Sequence, residues 1–128
     1  MSNIFNTQTD KNGRKVKLTA DAVEYVVSGT NVSYIYYKNS KMMKLAEEWD
    51  CIRSFLEENF TCEVYNLPNR KKALIPHQNI GYIIDDESRH SYIHFLNSNH
   101  SLRVVGGILD HDIEGILKWV NYLAEKRF

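Results

Sequence analysis

Residues 40–60, Ser40-Lys-Met-Met-Lys-Leu-Ala-Glu-Glu-Trp-Asp-Cys-Ile-Arg-Ser-Phe-Leu-Glu-Glu-Asn-Phe60, decide how the rest of the chain is read. Met42, Leu45, Trp49, Ile52 and Leu56 recur at alternating three- and four-residue steps, the spacing that aligns one face of an α-helix. Met43, Ala46 and Phe55 widen the stripe, and most of the charged residues fall on the opposite side. Ser40 stands where its hydroxyl can accept an unpaired amide proton of the first turn. The spacing therefore predicts one long amphipathic helix, which needs an apolar surface to lie against.

The flanking segments read as the strands that would supply it. Residues 14–18 alternate polar and apolar like a half-buried strand. Residues 32–38, Val-Ser-Tyr-Ile-Tyr-Tyr-Lys, are dense in β-branched and aromatic side chains. Further strands are expected over 61–65, 73–75, 80–84, 91–96 and 102–105; Pro76 assigns 73–75 to a sheet edge. Short polar links imply antiparallel neighbours. Thr19–Ser28 reads as helix or strand: the capping position of Thr19 and the stop at Gly29 favour a short helix, while Val23, Tyr25, Val26 and Val27 favour a strand. The helical reading is preferred. A last helix is expected over 110–128, with Ile113, Ile116, Leu117, Val120 and Leu123 inward. Asp110, Asp112 and Glu114 suit its start, and Lys126 and Arg127 its end.

These parts predict an α+β fold. An antiparallel meander of about five to six strands carries the two long helices on one face, leaving the other face open. The domain covers 14–128, and the polar residues 1–13 form a flexible N-terminal arm. From Val32 onward the order strand, helix, four strands, helix resembles that of TATA-binding-protein-like folds, in element order alone.

Composition bounds the function. The chain has 128 residues, with 16 basic and 16 acidic side chains, so its overall field favours neither nucleic acid nor an acidic surface. A chain of this length buries enough surface to fold without disulfide or structural metal. Cys51 and Cys62 form no ligand pattern and are expected to be reduced and at least partly buried. No apolar run approaches a membrane span, and the start lacks the layout of a secretion signal, so a cytoplasmic setting is expected. Abundant Asn, Lys, Ile and Tyr suggest an AT-rich bacterial or phage genome.

Strand parity names a candidate surface. His90, Tyr92 and His94 share one side of their strand, opposite Ser91, Ile93 and Phe95; Arg103 opposes Leu102 and Val104. Tyr34 and Tyr36 share a side on the earlier strand. With Arg70, Lys71 and Lys72 at the rim, beside Lys38, Lys41 and Lys44, such a face suits single-stranded nucleic acid. Rings stack on bases and cations neutralise phosphates. The simpler account is a half-wet sheet lined with amphipathic rings. Ser91-Tyr-Ile-His-Phe95 partly matches the long signature of RNA-recognition motifs. Arg89 and His90 occupy the places of its glycine and first aromatic, however, and residues 66–86 hold two prolines and no helical period. That resemblance fails.

A second constellation is acidic and imidazole-rich: Asp85, Asp86, His90, His94 and His111 could hold a divalent metal and activate water, as in a nuclease or phosphatase. The spacing lacks a fixed metal-site pattern, and Asp-Asp-Glu-Ser is ordinary turn composition. No phosphate-cradling glycine loop, nucleophile elbow or exposed thiolate site is present. The sequence thus favours a non-enzymatic protein-binding module such as an inhibitor, immunity or accessory factor, with no cofactor and an unidentified protein partner. Nucleic-acid binding is the first alternative and metal-dependent hydrolysis the second.

Overall fold

The computed structural model describes residues 3–86 and 89–106. In chain order these form β1 (Ile4–Gln8), β2 (Lys15–Thr19), a 3-10 turn (Ala20–Ala22), β3 (Val23–Ser28), β4 (Ser33–Tyr37) and β5 (Met42–Leu45). Then come α1 (Trp49–Asn59), β6 (Cys62–Asn66), β7 (Lys72–Pro76), a 3-10 turn (His77–Asn79), β8 (Ile80–Asp85), β9 (His90–Phe95) and β10 (Ser101–Val105).

Five strands build a central antiparallel sheet in the order β5-β4-β3-β7-β6. Alternation along β3 sends neighbouring side chains to opposite faces. Val26, with Ile35 and Leu74, meets Ile52, Phe55 and Leu56 of α1 and Leu18 of β2. Val27, with Tyr25, Ala73 and Ile75, meets Ile93, Phe95 and Val104 of a three-stranded sheet ordered β10-β9-β8. The β1–β2 hairpin is the third sheet, and Phe5 packs on Phe55 with ring centroids 5.3 Å apart. The central sheet is therefore a middle layer with an apolar core on each side.

This corrects the expected α+β meander under two helices. Strands dominate, and one α-helix occurs among the described residues. The second expected helix, over 110–128, lies outside them. No face of the central sheet is left wholly bare. The element order likened to TATA-binding-protein-like folds also fails, because a second strand, β5, intervenes before the helix and five strands follow it.

The helix expected over 40–60 begins only at Trp49, after the extended Glu48, and Ser40 caps nothing. Ser40 instead takes the left-handed position of the turn between β4 and β5, at φ +74°. Four residues, Met42 to Leu45, pair with β4, and this ladder outweighs the helix-forming composition of Lys-Met-Met-Lys-Leu. Met42, read as the first member of the buried stripe, is half exposed on the sheet.

Thr19–Ser28 is mainly strand. β3 is buried on both faces, so its apolar residues run on almost without alternation and mimic a helix stripe. Residues 73–75 are interior. Pro76 is tolerated because it ends the ladder, opposite Cys62, where a missing N–H interrupts nothing. Residues 4–8 of the expected arm pair with β2.

Cys51 is exposed on α1, against expectation, whereas Cys62 is half-buried. Burial pushes the Cys62 thiol up to about 11, with Glu57 adding to the shift and Arg53 opposing it. At pH 8 iodoacetamide is expected to alkylate Cys51 first, with Cys62 at least about tenfold slower; peptide mass mapping over time reads the order.

Candidate functional site

The expected binding residues fall into two groups on different surfaces. Tyr34, Tyr36, Arg70, Lys71 and Lys72 belong to one end of the central sheet. His90, Tyr92, His94 and Arg103 lie on the outer face of the three-stranded sheet.

The first group is assembled by hairpin turns. Leu67-Pro-Asn-Arg-Lys71 closes with Leu67 N–H donating to Lys71 O at 2.9 Å and Arg70 N–H to Leu67 O at 3.0 Å. Asn69 Oδ1 accepts the Lys71 N–H at 3.0 Å. Arg70 holds φ +71°, the left-handed residue that completes a three-residue hairpin loop. Tyr37-Lys-Asn-Ser-Lys41 repeats the design, with Asn39 and Ser40 in the same roles. Lys72 N–H donates to Ser28 Oγ at 2.9 Å, tying β7 to the start of the β3–β4 turn.

Cross-strand register then sets Lys44 beside Tyr34 and Tyr34 beside Val27. The Lys71 ammonium stands 4.7 Å from the centre of the Tyr34 ring and the Lys44 ammonium 5.8 Å from it, both within cation–π range. Gly29 permits this seat: a Cβ there would stand 2.8 Å from Tyr34 Cε2 and 2.7 Å from Val32 Cγ2. The result is a cleft of about 420 Å³ walled by Gly29, Tyr34, Lys44, Arg70 and Lys71. Lys44 is partly neutralised by Asp10 at 3.3 Å, while Arg70 and Lys71 have no carboxylate partner among the described residues. The same Asp10 contact brings the β1–β2 turn, with Lys11 and Arg14, to this end of the sheet.

A groove of about 320 Å³ continues from the cleft, sharing Tyr34 and Lys71 with it. Its floor is a stack of rings. Phe95 lies 4.9 Å from Tyr25 at 11°, and Tyr25 lies 4.5 Å from Tyr36 at 6°. Burial raises the Tyr25 phenol well above its ordinary range, and Tyr36 and Glu24 add to it, so the ring stays neutral. A larger hollow of about 700 Å³ lies by the β1–β2 hairpin, Ala46 and Glu47, but no aromatic ring lines it among the described residues. Its carboxylate, Glu47, is already bonded by Thr7 Oγ1 at 2.8 Å.

On the second surface, the expected alternation holds: Ser91, Ile93 and Phe95 are buried, and His90, Tyr92 and His94 are half-buried on the other side. Tyr82 stacks on His94 at 4.4 Å and 9°, and Arg103 contacts both His90 Nδ1, at 3.2 Å, and the Tyr92 ring. Tyr82, Ile84 and Val105 are the exposed apolar members of this face.

The proposed metal ligands are engaged otherwise. Asp86 Oδ1 accepts the His90 N–H at 3.0 Å, Asp85 accepts the Ser91 hydroxyl, and both close the β8–β9 connection. His111 lies outside the described residues. Among the described residues, no group of three or more His, Cys, Asp or Glu side chains is placed to hold a metal ion. Nor is any helix among them long and apolar enough to cross a membrane.

Sequence reasoning named the cations and Tyr34 but missed Met42, Asn69 and the role of Gly29. Asn-x-Lys after Tyr37 and after Leu67 was the available signal for the two turns. No protein-family model matches the chain, and no curated protein matches it. Among solved structures, the fold is similar to that of a LytTr DNA-binding domain from Bacillus cereus. The TM-score is 0.58 and the identity 10%, over 89% of this chain and 96% of that one.

Proposed function

We propose, taking the fold shared with a DNA-binding domain as premise, that this chain binds nucleic acid through the cationic end of its central sheet. The observation that carries the reading is the cleft itself: Lys44, Arg70 and Lys71 converge around Tyr34, and no carboxylate lines it among the described residues. A ring that holds an ammonium on its face is a positioning group, so Tyr34 aims Lys71 rather than stacking on a base. Turn backbone and the nearby Lys11 and Arg14 extend the surface along a phosphate chain. Near-zero net charge does not oppose this, since counterion release depends on the local cations that meet phosphates.

Fluorescence anisotropy with a labelled oligonucleotide tests it. Arg70→Ala with Lys71→Ala is expected to weaken binding about tenfold at ~0.1 M salt, and to reduce the slope of log affinity against log salt by about two. Arg103→Ala, on the outer sheet, is expected to leave both unchanged. Wild-type protein that binds no nucleic acid at low salt would refute the proposal.

Arg70 offers a second test, because its left-handed backbone is unfavourable for any residue but glycine or asparagine. Arg70→Gly is expected to raise stability by about 0.5–1 kcal/mol while weakening oligonucleotide binding. Ser40→Gly, in the matching turn, is expected to give a similar gain with unchanged binding. Urea denaturation and anisotropy on the same samples separate the two effects.

The outer face of the three-stranded sheet supports a second reading as a protein-binding module. Tyr82 and Ile84 are each at least half exposed there, as an interface core requires. That reading takes precedence if the nucleic-acid assays are negative.

A further inference from the structure

Resting on the nucleic-acid reading, we propose that the groove beside the cationic cleft is a slot for one unpaired nucleobase, stacked on Tyr36. Register places Tyr25, Tyr36 and Met42 in one row across β3, β4 and β5, on the same face. Tyr25 covers one side of the Tyr36 ring, in a nearly parallel stack already two rings deep. On the other side stands Met42, 51% exposed, an unbranched thioether that can swing aside and close again over a flat guest. The groove, at about 320 Å³, falls within the range of small-molecule sites.

Charge selects the guest. Lys71 and Tyr34 wall both groove and cleft, so a base in the groove has its phosphate directed toward Lys71 and Arg70. An uncharged apolar guest would leave those cations unused, and among the described residues no carboxylate lines the groove to favour a cationic one. Asn69 stands at the lip with its carbonyl oxygen committed to the Lys71 amide, which leaves its NH2 group for an acceptor on the base edge. Paired bases cannot enter such a slot, so the ligand is a single strand.

The test uses the full chain with a labelled mixed-sequence single strand of about 12 nucleotides and the same sequence as a duplex. Tyr36→Leu is expected to weaken single-strand binding about tenfold without changing the salt slope, and Tyr36→Phe to restore it. Irradiation of a wild-type complex with a 5-iodouridine single strand is expected to cross-link Tyr36, which keeps the question answerable should Tyr36→Leu fail to fold. Salt-dependent binding that ignores Tyr36, with cross-links elsewhere, would overturn the slot and leave the phosphate-binding reading standing. Tight binding to duplex alone would do the same. Absence of binding to either probe would overturn both.

Discussion

Leu45→Ala is expected to destabilise the protein by about 2–5 kcal/mol, whereas Met42→Ala should cost no more than about 0.5 kcal/mol. The two residues were equal partners in the helical stripe read from the sequence, and a helix would bury both. In the structure they sit three residues apart on β5, and a strand turns such a pair to opposite faces. Leu45 is fully buried, in the core shared by α1 and the β1–β2 hairpin; Met42 is on the other face, half in solvent. Removing Leu45 leaves a void in the core it shares with Leu18, Ile35 and Ile52; sheet pairing fixes the backbones of Leu18 and Ile35, and the helix fixes that of Ile52, so little of the void can be filled by collapse. Urea denaturation midpoints at unchanged m-value measure the difference. Equal losses for the two variants would restore the helix.

Why 40–48 was misread is a matter of competing periods. A strand entering a helix can place Met42, Leu45 and Trp49 at helical steps by coincidence, and Lys-Met-Met-Lys-Leu has good helix formers throughout. What decided the outcome was tertiary. Tyr34, Ile35 and Tyr36 form an edge that needs a partner, and the turn at Lys38-Asn-Ser40 delivers the following residues to it. β3 failed for the converse reason: two-sided burial erased the alternation that marks a strand. Where one side faces water the reading worked, as on β9, because period two survives only when one face stays polar.

The candidate site was half legible for related reasons. Charged turn residues advertise themselves, so Arg70, Lys71 and Lys72 were found. Their convergence with Lys44 on Tyr34 depends on which strands neighbour one another, and sequence order does not give that. Gly29 looked like a helix stop; its role is to let a ring lie against backbone. The expected Tyr/His/Arg surface was split because the three-stranded sheet covers the central one with its Ile93 and Phe95 side, turning His90, Tyr92 and His94 outward.

The second large effect is centred on Glu24, which stands between Val23 and Tyr25 on β3. The register of β3 slips between Val23 and Tyr25, and this irregularity brings Glu24 into complete burial. Oε1 meets His100 Nδ1 at 3.3 Å, and Oε2 has no hydrogen-bond partner among the described residues. Asn79 Nδ2 donates to the carbonyls of Val23 and Glu24, both at 2.9 Å, satisfying acceptors that the slipped ladder leaves open. The pair joins the central sheet to the β9–β10 connection, so its loss acts on the packing of two layers. His100→Ala strips the buried carboxyl of its side-chain partner and is expected to cost about 2–3 kcal/mol, less than a wholly buried pair because His100 is partly in solvent. Glu24→Met removes the group that needs the partner, in similar volume, and is expected to be neutral or mildly stabilising. With both changes together, stability should return to within about 1 kcal/mol of the parent, because His100 matters only while Glu24 is present. Chemical denaturation of the four proteins measures this coupling. Additive losses, or a His100→Ala variant as stable as the parent, would show that the carboxyl does not depend on the imidazole.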